Sequence, residues 1–316
     1  MVSIKDIASD LGITTATVSN ALSGKGRVSQ NLAEKVRLRA DELGYRPSLA
    51  GRALRSGRTG ILGLVMPDLT NPLFPRIAQT ISNEADAMQL GILIADSRGS
   101  AEEQSAAFRR LLNLGVDGIL VVPQKGTSPD PMPVPVAVIN TQSDPQNAVS
   151  ADHVGGGALI ARHICEIGHR RVLLLGGDPV SEVQRDRIQG MTAALPPDVM
   201  LKVLWGDAGL AQVPDQINQG ITAILTTSDL IALRVHSSLL RAQISVPGQV
   251  SLTGFDNMSI SSIMHPTLTT VAQNVEEIAS RAIQIITAKI AGTPPPNLGG
   301  VVPMHLVVRQ STATPH

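Results

Sequence analysis

Seven short apolar runs between residues 61 and 256 restrict what this chain can become: ILGLVMP, GILIAD, DGILVVP, VPVAVIN, RVLLLGG, ITAILTT and VSLTGFD. Each is flanked by Gly, Pro or Asp and is apolar without alternation. Runs of that kind read as strands buried on both faces of a parallel sheet. Helical spacing fills the gaps, at 72–89, 101–114, 155–167, 183–195, 229–242 and 275–291. Strands alternating with helices predict a doubly wound α/β body, and the number of runs fits two sheets divided near Ser150. In open α/β sheets a ligand binds beyond the carboxyl ends of the strands, so cleft residues should follow each run. Between Trp205 and Ile221 there is little room for a full helix, which predicts a shortened or irregular segment beside the cleft.

The first sixty residues follow different rules. Ser3 can cap a helix in which Ile4, Ile7, Ala8 and Leu11 share one face. Gly12 supplies a turn. The stretch TATVSNAL, Thr15–Leu22, then places Val18 and Leu22 inward and Thr15, Ala16, Ser19 and Asn20 outward. A third helix starts at Ser29, runs Leu32, Val36, Ala40 and Leu43 down one side, and stops at Gly44 and Pro47. Helix, Gly-containing turn and second helix with a short polar face match the helix-turn-helix pattern, whose second helix reads the major groove. Charge supports the reading. Residues 1–58 hold ten Lys or Arg against five Asp or Glu, while the rest holds sixteen against twenty-one. A basic head on an acidic body suits a head that binds a polyanion.

VSIKDIASDLGITTATVSNALSGKGRVSQNLAEKVRLRADELGYRPSLAGRALRSGRT resembles the head of the lactose-repressor/galactose-repressor (LacI/GalR) family of bacterial transcription regulators. The match is dense at TVS, at the VS before the third helix, at ELGYRP and at the A-x-x-L near the end. It continues through GHRRV, DRIQG, PGQVSLTGFDN and PTLTTV, and so covers essentially the whole chain. The resemblance implies a helix-turn-helix head over 1–46 and a hinge helix or tether over 47–58. It implies an effector-binding and dimerisation body over 59–316, similar to periplasmic sugar-binding proteins. Within that body the N-subdomain spans about 59–149 and 274–303, and the C-subdomain about 150–273 and 304–316.

The resemblance also assigns roles. Residues matching Thr15, Ala16 and Asn20 touch base edges, and Asn can pair with adenine through two hydrogen bonds. Many relatives carry Arg or His where Asn20 stands, which leaves the preferred half-site open. Leu54 matches a leucine that wedges into the minor groove, a known way to kink a duplex. Gly51 departs from the alanine common at its position and lowers helix propensity by ~1 kcal/mol. Lys5, Lys25, Arg27 and Tyr45 are placed to meet phosphates, which fix register without reading sequence. In the body the effector-binding candidates are Asp68 and Phe74 after the first strand, and Asp152 before a GGG turn. Arg187 in DRIQG, Asp229 after ITAILTTS and Asp256 after VSLTGF complete the set. A buried arginine facing carboxylates suits polar, hydroxyl-rich ligands. A strand-end Asp can equally cap the next helix, and for Asp152 and Asp229 that reading stands beside the pocket. Aromatic residues for sugar stacking are scarce, which leaves the ligand less defined than the site.

Other chemistries lack their motifs. GGG after Asp152 has no Lys-Ser/Thr follower, no G-x-G-x-x-G follows a strand, and no G-x-S-x-G elbow occurs. His163, Cys165 and His169 are close in sequence, but i, i+2 spacing on a helix turns the first two to different faces, favouring a structural role over a metal site. No cofactor and no catalysis are expected. One cysteine, no leader before the first helix and no apolar run near ~20 residues predict a cytoplasmic protein without a membrane partner. The expectation is a transcriptional repressor that binds a pseudo-palindromic operator as a homodimer, switched by a small polar effector that is a sugar or sugar-like metabolite. The alternative, a periplasmic-type sugar-binding protein with no role on DNA, leaves the basic head without a purpose.

Overall fold

The computed structural model describes residues 2–23, 28–45, 57–124, 127, 131–139, 148–294 and 300–315. Contacts divide the chain into two compact units, Met1–Thr59 and Gly60–His316.

The first unit holds α1 (Ile4–Leu11), α2 (Thr15–Ser23) and α3 (Gln30–Glu42). Ser3 donates from its N–H and its hydroxyl to Asp6, closing the start of α1. Gly12 ends that helix at φ 63°, a left-handed position that glycine adopts without strain. Thr14 accepts from the N–H of Thr17 and so caps α2. Ser29 accepts from Leu32 at the start of α3. Ile7, Ala8, Val18, Ala21, Val36 and Ala40 are buried between the three helices, with Ile4, Leu11, Leu22, Leu43 and Tyr45 around them. Arg39 on α3 pairs with Asp10 of α1.

The second unit opens with β1 (Ile61–Met66), α4 (Leu73–Ala87), β2 (Gly91–Asp96), α5 (Ala101–Asn113), β3 (Gly118–Val121), β4 (Val136–Ile139) and β5 (Ala148–Ala151). It continues with α6 (His153–Glu166), β6 (Arg171–Gly176), α7 (Glu182–Ala194), β7 (Met200–Trp205), α8 (Gly206–Ala211), α9 (Val213–Asn218), β8 (Ala223–Thr226) and α10 (Asp229–Arg241). It ends with β9 (Ser251–Thr253), α11 (Ser259–Ile263), β10 (Thr270–Ala272), α12 (Val275–Ala291), β11 (Gly300–Val302) and β12 (His305–Val307).

Two parallel sheets result, in the orders β11-β5-β4-β3-β1-β2 and β7-β6-β8-β9. A third, two-stranded sheet pairs β10 with β12 antiparallel. The chain leaves the first sheet at Asp152, returns to it through α12 and β11, and crosses again at Met304. One apolar core runs under both large sheets, from Leu62, Ile81 and Ile283 to Ile160, Val172 and Leu225. Separate clusters cover the outer faces, one under α5 around Phe108 and Leu111, the other under α9 and α10 around Val213, Val235 and Leu239.

Helices α6 and α7 lie unusually close. A Cβ at Gly157 would overlap the carbonyl of Arg187, and one at Gly190 would overlap that of Val154. The GGG run therefore serves helix packing. The segment after Trp205 forms two short helices, broken at Val213-Pro214 because proline cannot continue the first. They pack on the second sheet through Leu210, Val213 and Ile217, not at the cleft. Trp205 covers Gly176, where a side chain would meet the indole. His163 bonds Thr312, and His169 bonds Thr222, Ser251 and the carbonyl of Ala313, fastening the C-terminal segment to the second sheet.

Candidate functional site

A cavity of about 490 Å³ opens at the carboxyl ends of the strands, where the loops after β1, β3, β6 and β8 converge. Asp68, Asn71, Leu73, Phe74, Gln124 and Thr127 line one side. Asp178, Ser181, Glu182, Gln184, Arg187, Thr227 and Asp256 line the other.

Arg187 forms its floor. It projects from α7 and is 3% exposed, as Asp256 beyond β9 is 4% exposed. The guanidinium donates to Asp256 from both Nη atoms, at 2.8 and 3.2 Å, and to the carbonyl of Thr227 at 2.7 Å. Its Nε–H donates to Nδ1 of His153 at 3.3 Å. That bond requires an unprotonated Nδ1, and burial together with the adjacent Arg187 charge holds the His153 pKa well below its usual value. Underneath, Phe255 lies 4.1 Å from the guanidinium carbon, ring face toward charge. Gln273, just beyond β10, donates to Asp256 at 2.6 Å. Asp256 sits at φ 102° and Asn257 at φ 46°. A branched residue would be strained in such conformations, and backbone of this kind gathers at ligand sites. The floor is a preformed, paired cation whose geometry is set by four separate chain segments.

Of the six effector-binding candidates, Asp68, Phe74, Arg187 and Asp256 line this one cavity. Asp152 and Asp229 do not line it. Asp152 caps α6, accepting from the N–H of Gly155 at 2.8 Å. Asp229 is fully buried and turns away from the cavity to accept from the hydroxyl of Thr270 at 2.7 Å and the N–H of Met258 at 2.6 Å. Burial pushes its pKa up to about 7, against the two hydrogen bonds that favour the carboxylate. Asp152 is thus the helix cap that a strand-end Asp can be, whereas Asp229 is neither: Ser228 caps α10, and Asp229 ties its start to Met258 and Thr270.

Sequence reasoning missed the amide pair. Gln184 accepts at Oε1 from the N–H groups of Gly177 and Asp178 and from the hydroxyl of Thr227, closing the loop after β6. Gln124 donates to the carbonyl of Pro67 and the hydroxyl of Ser97, which leaves its oxygen for other partners. Ser181 and His153 were missed too. Nothing in the spacing marks these residues, although each lies beside a predicted strand end or beside Arg187.

On the first unit Thr15, Ala16 and Asn20 are exposed along α2, opposite buried Val18 and Ala21. Lys5 is exposed on α1, while Tyr45 is half-buried against the three-helix core. Lys25, Arg27 and Leu54 lie outside the described residues.

Comparison with known proteins agrees with both units. Residues 3–48 match the model for bacterial regulatory proteins of the lacI family, and 161–312 match a periplasmic binding protein-like domain. HTH-type transcriptional regulator reg1 of Streptomyces lividans is 30% identical, with 98% of this chain and 96% of the relative covered. HTH-type transcriptional regulator DegA of Bacillus subtilis is 28% identical, with 98% of each covered. Among solved structures, the lac repressor dimer bound to operator and the anti-inducer ONPF superposes with a TM-score of 0.80 at 24% identity, covering 99% of each chain. A CelR–cellobiose complex gives 0.71 at 25% identity, covering 98% of this chain and 100% of that one. The chain belongs to the LacI family of helix-turn-helix transcriptional regulators.

Proposed function

We propose that the protein is a cytoplasmic repressor without enzymatic activity, which binds a pseudo-palindromic operator as a homodimer and is switched by a small polar effector held in the cavity. The reading is carried by the preformed Arg187–Asp256 floor of a polar cavity in a chain whose other unit exposes Thr15, Ala16 and Asn20 along a second helix. In this reading Thr15, Ala16 and Asn20 contact base edges, with Leu54 in the minor groove, and Lys5, Lys25, Arg27 and Tyr45 contact phosphates. Arg187 and Asp256 bind the effector, with Asp68 and Phe74 on the opposite wall. The free edges of the two parallel sheets are suited to dimerisation. Strand β2 exposes Ile94 and strand β7 exposes Met200 and Val203, apolar side chains on edge strands. A two-fold axis would present two heads to two half-sites.

Selection of sites from a random duplex pool, followed by anisotropy titration with a panel of sugars, sugar acids, sugar phosphates and nucleobases, tests the proposal. The expected result is a two-fold symmetric consensus whose affinity changes with one class of ligand. Binding without sequence preference would remove the regulator reading.

A further inference from the structure

We propose that the N-terminus of α7 is an oxyanion seat in the cavity, for a carboxylate or a phosphate group carried by the effector. The proposal rests on the cavity being the effector site and deepens it from polar ligand to anionic ligand.

Two observations carry it. Helices α5, α6, α10 and α12 each begin with a side chain that accepts from their first turn: Ser100, Asp152, Ser228 and Asn274. Ser181 occupies the same position before the thirteen-residue α7 and makes no such bond. Among the described residues no group accepts from the N–H groups of Glu182, Val183 or Gln184. These residues line the cavity. A helix start with unused N–H groups attracts negative oxygen, because those groups and the helix dipole point the same way.

The second observation is Ser181 itself. It is 8% exposed, it lines the cavity, and its hydroxyl has no partner among the described residues. The side chain is mostly buried while its hydroxyl opens to the cavity, so the unpaired oxygen offers a place for a ligand oxygen. Arg187, also on α7, adds to the seat. Two of its donors engage Asp256, one Thr227 and one His153, which leaves one N–H on Nη2 for a ligand.

Carboxylates on the same wall work against an anion and set how strong the seat can be. Asp256 is neutralised by Arg187 at 2.8 Å. Glu182 is exposed, so water and salt screen it. Asp178 accepts from the N–H of Val180, and Asp68, across the cavity, accepts from Thr70. Hydrogen bonds to an ionised oxygen are about twice as strong as neutral ones. Several such donors at contact distance outweigh screened charges further off. Among the described residues Phe74 is the single aromatic side chain on the lining, so ring stacking adds little and polar bonds must supply affinity.

The test uses the full chain, labelled with ¹⁵N, and inorganic phosphate or acetate at constant ionic strength. Saturable shifts of the Glu182, Val183 and Gln184 amides are expected with either anion. Ser181→Ala should weaken binding about tenfold, the loss of one charge-assisted bond. Ser181→Asp places a carboxylate on the helix start and should abolish the shifts while leaving the remaining amide spectrum, and hence the fold, unchanged. Amides of 182–184 that stay put through tens of millimolar anion would overturn the seat, as would equal shifts in wild type and Ser181→Asp. A neutral sugar that alters operator binding, with those amides unmoved by phosphate, overturns the seat and leaves the effector reading standing. Saturable binding at the seat, with no oxyanion altering operator affinity, supports the seat and removes the effector reading.

Discussion

Arg187 and Asp256 are both buried and bonded through two N–H donors, so their contribution can be separated by a double-mutant cycle. Arg187→Met keeps the unbranched apolar stem of the side chain and removes the guanidinium with its charge. Asp256 is then left as a buried carboxylate with Gln273 as its remaining side-chain donor, at 2.6 Å. Removing one partner of a buried pair destabilises by about 3–5 kcal/mol, because the surviving charge stays out of water. Loss of the stack on Phe255, 4.1 Å from the guanidinium, adds up to about 2 kcal/mol. Asp256→Asn keeps volume and tolerates the positive φ, but it strands the Arg187 charge against Thr227 and His153 in the same way. The double variant leaves no buried charge uncompensated. Its loss should fall below the sum of the two single losses by about 3 kcal/mol, the upper part of the range for residues in contact.

The only tryptophan, Trp205, lies in the second sheet, so its fluorescence during urea unfolding follows the second unit and not the head. Losses that add within about 0.5 kcal/mol would refute the argument and mean that cavity water already solvates the pair. The size of the effect also alters how an effector assay must be read. A single Arg187 or Asp256 variant that no longer responds to ligand has lost stability as well as a contact. The double variant separates the two effects, since it restores stability without restoring the donor.

Other consequences follow from the same geometry. Gly157→Ala or Gly190→Ala should lower stability by about 3 kcal/mol, since each methyl would overlap a backbone carbonyl of the neighbouring helix and backbone cannot move aside as a side chain can; calorimetric melting checks it, and an unchanged midpoint would mean the helices can separate freely. Asp229 holds its proton to about pH 7 when folded, against 3.8, its ordinary value, when unfolded. The folded state therefore binds the extra proton between those values, and stability falls as pH rises from about 4 to about 7, by on the order of 4 kcal/mol. Asp229→Asn has no such titration, so its deficit against wild type should narrow between about pH 5 and about pH 8 in urea melts; a constant deficit would show that Asp229 titrates normally. On DNA, Asn20→Ala should relax preference at one or two symmetric positions, losing about 1–3 kcal/mol there, whereas Lys5→Ala should weaken all sequences alike and flatten the salt slope by about one. Site selection with each variant decides this, and identical consensus sites for wild type and Asn20→Ala would take Asn20 out of the readout.

What the sequence revealed and what it hid have one physical origin. Runs such as RVLLLGG and ITAILTT are central strands, covered on both faces, so burial writes itself into every residue. MLKVLW, β7, carries no such signal because an edge strand faces water and tolerates Lys202 in its middle, while GILIAD, β2, reads as buried on both faces although it too is a half-exposed edge strand. AVSA, β5, is buried throughout, but four small residues with a serine among them carry no hydropathy signal. The helix ends were readable to within a residue or two because caps are local chemistry. Arg187, in the middle of α7, was readable only through the resemblance of DRIQG to the family, and Asp256 through that resemblance and its place after the VSLTGF run. Asp152 and Asp229 satisfy the same local rule. Only the direction of the side chain, into the cavity or back onto backbone N–H groups, divides the two pairs, and direction depends on segments distant in sequence: Thr270 and Met258 for Asp229, Gln273 and Arg187 for Asp256. Ser181 is the converse case. A serine before a helix reads as a cap from sequence, and the structure gives it the position of a cap without the bond. A rule based on residue type would have left its hydroxyl out of the cavity, because what distinguishes it is a hydrogen bond that its own helix does not donate.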